Sequence, residues 1–373
     1  MTDETTNEPE LRAKAYQKTK QILALVHLLY TPVLLVIAFV TPLSDSFKSA
    51  AAGMSANPTL IVILYFIFFS VYTLLLDFPF SVYSGFSLEK KYQLSNQTFR
   101  GWLWDFTKRA LLSFLIFLPL IAALYWLIRH FPNSWWLLAW AGYAGVTYVI
   151  GKLFPVLIVP LFYKYGAVAD ENLKERILAL AKKYDMPVGQ IFSINLSRTT
   201  KKANAAFMGM GKTKRVVLSD TLLENFTTEE IETVVAHELG HYKQHDIWKM
   251  LGFGLVATFI LFGLAFVLVD GLSLKLGFEG VADVAALPVL FLVFYLASVV
   301  FAPLQNAFSR WAERGADRFA LRALRNVEAF ISCMTKLGRM NLADPSPNPV
   351  YEWFFYDHPS IGRRIAMAKG MKL

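Results

Sequence analysis

The stretch from Thr227 to Val269, TTEEIETVVAHELGHYKQHDIWKMLGFGLVATFILFGLAFVLV, places two kinds of helix one after the other. Thr227 and Glu230 have the spacing of a capping box, which predicts a helix from there through about Asp246. From about Leu251 to Val269 nearly every residue is apolar, and about 20 such residues suffice for a helix to cross a bilayer. A polar helix that carries paired histidines is therefore predicted to lie directly beside a membrane span.

Five further segments of the chain are as apolar as this one. Of 373 residues, 55% are hydrophobic and only 17% are charged, a composition typical of a membrane protein with several spans and a sizeable polar part. Prolines inside the segments, such as Pro32, Pro119 and Pro288, are compatible with spans, because neighbouring helices can satisfy the freed backbone groups. The six predicted spans are about Gln21 to Val40, Thr59 to Phe80, Ala110 to Arg129, Trp135 to Pro155, Leu251 to Val269 and Leu287 to Leu304.

Basic residues concentrate in alternate loops, which predicts the orientation. The N-terminal arm, the loop 81–109 and both long polar regions are rich in Lys and Arg. The other loops contain only two basic residues, Lys48 and Lys275. These loops are Thr41 to Pro58, Phe131 to Ser134 and Asp270 to Asp283. Since cytoplasmic loops carry the excess of Lys and Arg, both termini and the polar domain are predicted to face the cytoplasm.

The net charge of +9 does not come from a single basic block. Lys and Arg lie at the ends of apolar segments, so the expected partner is the lipid bilayer and no nucleic acid is expected to bind. Residues 1–10 are acidic and polar, and the apolar run after them is longer than a signal-peptide core, so it is predicted to be a retained anchor. The last residues, Met371 to Leu373, carry no retention signal for the endoplasmic reticulum, which favours a bacterial inner membrane.

The predicted fold class is mainly α, a polytopic helical membrane protein with a cytoplasmic α+β domain built from two chain segments. Helical spacing predicts a helix over Asp170 to Lys183, and alternating residues predict a strand over Gln190 to Leu196. Ala205 to Met208 and Arg215 to Ser219 are predicted to pair around a Gly-rich turn. The expected organisation is a four-span region (1–160), two pieces of the polar domain (161–250 and 305–373) and two intervening spans (251–304).

The capped helix contains His237-Glu238-Leu239-Gly240-His241, a spacing typical of a zinc site. Residues at i and i+4 lie one turn apart on one face, so both imidazoles can bind one Zn²⁺. Glu238 lies about 100° round the helix, where a carboxylate can act as general base without occupying the metal. A short match of this kind also occurs by chance on surface helices.

Two acidic residues further along the chain, Glu313 and Asp317, can complete this site. Glu313 can be the third ligand, which leaves a fourth position open as catalytic zinc requires. Asp317, one turn on, can accept the free N–H of a ligand histidine. The competing interpretation is a solvated acidic face mixed with arginines. His245 is not assigned as a ligand, because it would close the open position, and the lone Cys333 permits neither an intrachain disulfide nor a cysteine zinc cluster.

Several segments in order resemble the type I CAAX prenyl protease family, whose eukaryotic members trim prenylated proteins such as yeast a-factor. They are Asn204 to Phe207, Val217 to Leu223, His237 to His241, Glu313 to Asp317 and His358-Pro359, and Phe80 to Arg109 resembles that family's second cytoplasmic loop. The resemblance implies a zincin-type metallopeptidase with one Zn²⁺ per chain. Two departures are a missing N-terminal span and a short insertion, Glu224 to Phe226, so the resemblance does not decide whether six spans enclose the large water-filled chamber of the family.

The resemblance also implies roles for substrate-contacting residues. Asn204 and Ala205 would pair with an extended substrate backbone, and His358 and Arg364 would contact substrate or stabilise the oxyanion. On the residues alone, Asn204 can equally be a turn residue and Arg364 a surface charge.

The expected function is a zinc-dependent membrane endopeptidase that removes the C-terminal tripeptide from prenylated substrates near the cytoplasmic surface. The alternative with the same chemistry is a quality-control protease that acts on unlipidated or misfolded membrane proteins. An alternative of another class is an inactive six-span transporter or scaffold, for which Asp77 and Lys152 near membrane depth can be cited.

Overall fold

The computed structural model of the chain describes residues 8–186, 190–209 and 215–372. The Gly-rich turn predicted between the paired strands falls mostly on residues 210–214, which lie outside this range. The start of the acidic N-terminal arm, residues 1–7, and Leu373 also lie outside the described residues.

Helices dominate the membrane region. The N-terminal helices are α1 (Glu8–Val40), α2 (Leu43–Met54), α3 (Pro58–Val82), α4 (Leu88–Lys91), α5 (Phe99–His130), α6 (Trp135–Leu153) and α7 (Val159–Phe162). Single π-helical turns join α3 to α4 and α6 to α7. Later in the chain come α11 (Asp246–Lys275) and α12 (Leu287–Leu324). In the described part of the chain, six helical stretches are long and apolar enough to cross a membrane, and they contain the six predicted spans.

The helix α2 lies in the loop between the first two spans and was not expected from the sequence. Its Ser44 hydroxyl lies 2.6 Å from the Tyr65 hydroxyl of α3 and donates to the Ala285 carbonyl oxygen at 2.6 Å. Both contacts are buried. These hydrogen bonds hold α2 against the spans and satisfy the buried hydroxyl groups, as buried polar groups require.

Two cavities of about 500 and 470 Å³ lie among the spans, and His27 contacts both. The Nε2 atom of His27 is 3.3 Å from the Asp77 carboxylate, and the Ser81 hydroxyl donates to Asp77 at 2.7 Å. Asp77 is therefore paired within the bundle, as ionisable groups at membrane depth generally are.

The polar domain combines a four-stranded sheet with several helices. Its strands are β1 (Tyr165–Ala167), β2 (Ile191–Ile194), β3 (Ala205–Met208) and β4 (Arg215–Ser219), and its helices are α8 (Glu171–Lys183), α9 (Asp220–Asn225), α10 (Thr228–Lys243), α13 (Val327–Met340), α14 (Pro349–Phe355) and α15 (Ile361–Gly370). The strand order is β1-β2-β4-β3. The predicted antiparallel pairing of β3 with β4 is observed, with Ala205 opposite Leu218, and β3 forms an edge of the sheet.

The helix that carries the paired histidines begins as predicted but ends earlier. The capping box is formed, since the Thr227 side chain accepts from the Glu230 N–H and the Glu230 side chain from the Thr227 N–H. The helix ends at Lys243 rather than at about Asp246, because His245 adopts a left-handed conformation with φ of 58°. The chain turns there, and Asp246 begins the next helix, α11.

The sixth span and the segment that carries Glu313 form one helix rather than two. The helix α12 has 38 residues and continues through Leu304, the predicted end of the span. At 1.5 Å per residue it is about 57 Å long. A bilayer core of about 30 Å cannot contain that length, so the C-terminal part of α12 projects from the membrane and into the polar domain.

Candidate metal centre

Three side chains from α10 and α12 converge on one point. The Nε2 atoms of His237 and His241 each lie 3.2 Å from a different oxygen of the Glu313 carboxylate. The two Nε2 atoms lie 3.2 Å from each other. One ligand atom from each residue can therefore lie within 4.8 Å of the others, a group that could hold one metal ion.

The chemistry of this donor set fits Zn²⁺. Two imidazole nitrogens and one carboxylate oxygen are a common ligand set of catalytic zinc. The Oε2 atom of Glu313 is buried and makes no hydrogen bond among the described residues, although the His237 ring lies close to it. A buried carboxylate oxygen without a hydrogen bond is expensive in free energy, and a cation at this point would satisfy it.

Each histidine is oriented by a buried carboxylate at its other ring nitrogen. The Nδ1 atom of His237 is 2.8 Å from Asp317, the residue predicted for this role. The Nδ1 atom of His241 is 3.0 Å from Asp246, which was not predicted. Such carboxylate partners fix the tautomer and direct Nε2 towards the metal position. Asp246 was missed because a continuous helix would turn its i+5 position away from His241.

The predicted site residue Arg364 lies behind the histidine rather than alone at the surface. Its Nε donates to the Asp317 carboxylate at 2.8 Å, and its Nη2 donates to the second oxygen of the same carboxylate. The Nη2 atom also comes within 3.3 Å of His237 Nδ1. This bidentate contact holds the Asp317 carboxylate in place. Arg364 also lines the cavity beside the metal position.

His358 reaches the same centre from the loop between α14 and α15. Its Nε2 lies 3.1 Å from Glu313, and its Nδ1 lies 2.8 Å from Asp357. Burial lowers the pKa of His358, but the contacts with Asp357 and Glu313 outweigh burial and raise the pKa to about 10. These two carboxylates favour the protonated form of the imidazole. The role of Asp357 was not anticipated, although it directly precedes the histidine.

Glu238 lies between the metal position and the edge strand. Its Oε2 accepts a hydrogen bond from the Phe207 N–H of β3 at 3.0 Å. A cavity of about 330 Å³ on one side is lined by Asn204, Ala205 and Glu238. A second cavity of about 380 Å³ on the other side is lined by Glu238, Phe207 and Tyr242 among others. Apart from Asp317, the predicted site residues thus line these two cavities, which share Glu238.

Gly240 allows the two ligand-bearing helices to approach closely. A Cβ atom at this position would lie 2.9 Å from the Ala316 Cα of α12 and 3.1 Å from the Ala316 carbonyl oxygen. Neither backbone atom can move without displacing α12. The glycine therefore sets the spacing at which Glu313 can reach both histidines.

Both halves of the chain match known protein families. Residues 1–164 match the family described as "CAAX prenyl protease N-terminal, five membrane helices", and residues 167–372 match "Peptidase family M48". In the described part of the first region, four helices qualify as candidate spans. Together the two matches cover nearly the whole chain.

Individual proteins agree with these matches. An uncharacterized metalloprotease of Bacillus subtilis, YhfN, is 32% identical over 80% of this chain and 71% of its own length. CAAX prenyl protease 1 of Saccharomyces cerevisiae is 29% identical over 78% of this chain and 68% of its own. The crystal structure of S. mikatae Ste24p superposes with a TM-score of 0.81 at 26% identity, covering 99% of this chain and 90% of that one. The chain therefore belongs to the CAAX prenyl protease family of M48 metallopeptidases and is a multi-pass integral membrane protein.

Proposed function

We propose that the protein is a zinc-dependent endopeptidase that cleaves peptide bonds near the cytoplasmic membrane surface and removes the C-terminal tripeptide from prenylated substrates. The observation that carries this proposal is the convergence of His237, His241 and Glu313 beside Glu238 and an edge strand. The name of the yeast relative, CAAX prenyl protease 1, supports the substrate class.

In this proposal His237, His241 and Glu313 hold one Zn²⁺. When bound, Zn²⁺ supplies Lewis acidity that polarises the scissile carbonyl and lowers the pKa of water. Asp317 and Asp246 keep the ligand histidines in the tautomer that presents Nε2.

Glu238 is the proposed general base. Its carboxylate takes a proton from the attacking water and delivers it to the leaving amine. The hydrogen bond from the Phe207 N–H fixes the carboxylate next to β3. His358, whose Nε2 lies 3.1 Å from Glu313, can donate a hydrogen bond to the oxygen that becomes negative in the transition state.

The substrate backbone is proposed to lie along β3. This strand is at the edge of the sheet among the described residues, and its start at Ala205 borders the same cavity as Glu238. An extended peptide can add to such an edge by main-chain hydrogen bonds, with Asn204 and Ala205 nearest the scissile bond. Arg364 acts through Asp317 in addition to bordering this cavity.

The proposed location is a bacterial inner membrane, with both termini and the active site in the cytoplasm. The alternation of basic loops supports the orientation. The proposed organisation of the chain has four parts, 1–160, 161–250, 251–304 and 305–373. The helix α12 runs from the third part into the fourth. The end of α10 three residues before α11 begins supports a metal centre close to the membrane surface.

A quality-control protease that acts on unlipidated membrane proteins is the second candidate. The B. subtilis relative has a name that specifies a metalloprotease without a prenylated substrate. The chemistry and the site residues are the same in both candidates, so only the substrate distinguishes them.

The deciding experiment compares cleavage of a farnesylated C-terminal peptide and its unprenylated twin by purified protein of measured zinc content. We expect about one zinc per chain and preference for the farnesylated peptide. Glu238→Gln should keep the zinc and reduce the cleavage rate by about 10²- to 10⁴-fold. Equal cleavage of the two peptides would favour the quality-control activity, and full activity of Glu238→Gln would rule out this base.

A further inference from the structure

The short helix α14 has an apolar face that is exposed in the described part of the chain. Val350 and Trp353, three residues apart on one face, are 72% and 53% exposed. The opposite side is occupied, since Glu352 is buried and Phe355 borders a cavity among the spans. Residues at i and i+3 share a face, so the two exposed side chains form one continuous patch.

Hydrogen bonds to α12 fix the depth of this patch. The Asn306 side chain donates to the Phe354 carbonyl oxygen at 2.6 Å, and the Arg310 side chain donates to the Glu352 carbonyl oxygen at 3.1 Å. Asn306 follows the predicted end of the sixth span, Leu304, by two residues, or about 3 Å of helix rise. The helix α14 therefore lies at the cytoplasmic end of that span.

Other exposed tryptophans lie at a similar depth. Trp248 precedes the fifth span by a few residues, and Trp311 follows the sixth; both are exposed. The Lys249 ammonium lies 5.0 Å from the Trp311 ring centroid. Tryptophan next to basic residues at span ends is typical of the membrane–water interface. The apolar face of α14 thus lies at the same end of the spans as Trp248 and Trp311.

We infer that α14 inserts Val350 and Trp353 into the cytoplasmic leaflet and docks the C-terminal part of the peptidase domain on the lipid surface. A Trp with an apolar neighbour on a short amphipathic element is suited to the boundary between headgroups and acyl chains. The chain passes from Phe355 through Asp357 directly to His358. Lipid contact at α14 therefore restrains the position of His358, a consequence that rests on the proposed function.

The depth of α14 can be measured without any activity. A nitroxide is attached to Val350→Cys, and Leu178→Cys on α8 serves as the control because Leu178 is an apolar residue 46% exposed on the polar domain. The native Cys333 is fully buried, and the labelled wild-type chain gives the background. The protein is placed in vesicles of phosphatidylethanolamine and phosphatidylglycerol.

We expect the label at 350 to be relaxed mainly by oxygen, which partitions into lipid, and the label at 178 mainly by a water-soluble nickel complex. Equal access of the nickel complex to both labels would overturn the inference. Spin–spin broadening at 350 that increases with protein density would also overturn it, because it would show that a second copy of the chain covers the face.

A matched pair of variants tests the consequence for His358. In vesicles, Trp353→Glu should lower kcat by about 10- to 100-fold at unchanged zinc content, since small misplacements of a catalytic group have effects of this size. Trp353→Phe should retain the rate. Full activity of Trp353→Glu would overturn the link to His358. The depth measurement needs no substrate, so its result does not depend on the proposed function.

Discussion

Two buried aspartates determine how the candidate metal ligands are presented. Asp317 comes from the helix that supplies Glu313, whereas Asp246 is the first residue of the fifth membrane helix. Asp246 also pairs with Lys249 one turn further along α11, at 3.3 Å. The orientation of His241 therefore depends on the first residue of a membrane helix. Metal binding and the position of α11 are coupled through the Asp246 side chain.

Removing Asp246 should weaken metal binding. In Asp246→Ala the His241 Nδ1 loses its acceptor and the imidazole can rotate, so we expect zinc affinity to fall by about 10- to 100-fold. Competition with a fluorescent chelator measures this. Glu175→Ala, which removes an exposed carboxylate on α8, is the control and should bind zinc normally. Equal affinities in the two variants would show that Asp246 does not orient the ligand.

At the scale of elements, the site depends on how α10 packs on α12 and α13. The Glu230 carboxylate of the capping box also accepts hydrogen bonds from the Ser332 hydroxyl at 2.6 Å and the Lys336 ammonium at 2.7 Å on α13. Gly240, on another face of the same helix, is in close contact with α12. The helix that carries the histidines is thus fixed near its start by polar contacts and near its end by close packing.

Gly240→Ala should separate α10 from α12. The added methyl group meets backbone atoms that cannot give way, and overpacking of this kind typically destabilises by about 1–3 kcal/mol. We expect a lower melting temperature and weaker zinc binding. Gly252→Ala in α11 is the matched control, because nothing lies within 4 Å of its added Cβ. If both variants behave like the wild type, the close approach is not what positions Glu313.

The Glu230–Lys336 pair should make stability depend on pH. Burial raises the pKa of Glu230, but Lys336, Ser332 and the Thr227 N–H outweigh burial and lower it below the ordinary value of 4.5. A lowered native pKa means that the ionised carboxylate stabilises the fold at neutral pH and that this stabilisation is lost as the pH falls through the native pKa.

Glu230→Gln isolates this contribution, because glutamine can still complete a capping box. We expect the variant to melt below the wild type at pH 7 and the difference to shrink as the pH falls below about 4.5. Tryptophan fluorescence during heating measures both curves. A difference that stays constant with pH would indicate that the lost contacts are not ionic.

At the scale of the whole molecule, the metal site connects chain segments on either side of two spans. His237 and His241 precede α11, whereas Glu313 follows the sixth span on α12. A bound ion would therefore link α10 to the C-terminal part of α12. Because that link exists only in the folded protein, metal binding adds to folding stability.

Zinc removal should accordingly lower the melting temperature of the protein. Free zinc at 1,000 times its dissociation constant stabilises the native state by about 4 kcal/mol. We expect a chelator to lower the transition and added Zn²⁺ to restore it. In Glu313→Ala the chelator should have little effect. A melting temperature that is independent of zinc in the wild type would contradict a site built from both segments.

The local order of residues by itself determined six apolar segments, the capping box at Thr227 and Glu230, and the pairing of β3 with β4. Hydrophobic length, helix capping and strand alternation act over a few neighbouring residues, so they can be recognised without the fold. The spacing of His237 and His241 likewise presents two ligands on one helical face, and the acidic pair on α12 resembled a known third-ligand segment.

Only the tertiary structure showed how Asp246, Asp357 and Arg364 contact the side chains of that site. Asp246 reaches His241 because the left-handed conformation of His245 separates α10 from α11, and the sequence pattern predicted one continuous helix through this point. The drop in hydrophobicity after Leu304 predicts the end of the sixth span. The helix nevertheless continues to Leu324, because the polar part of α12 packs on α10 and α11. The contacts of Arg364 with Asp317, of His358 with Glu313 and of α14 with α12 all join segments far apart in sequence, and such contacts are set by packing rather than by local pattern.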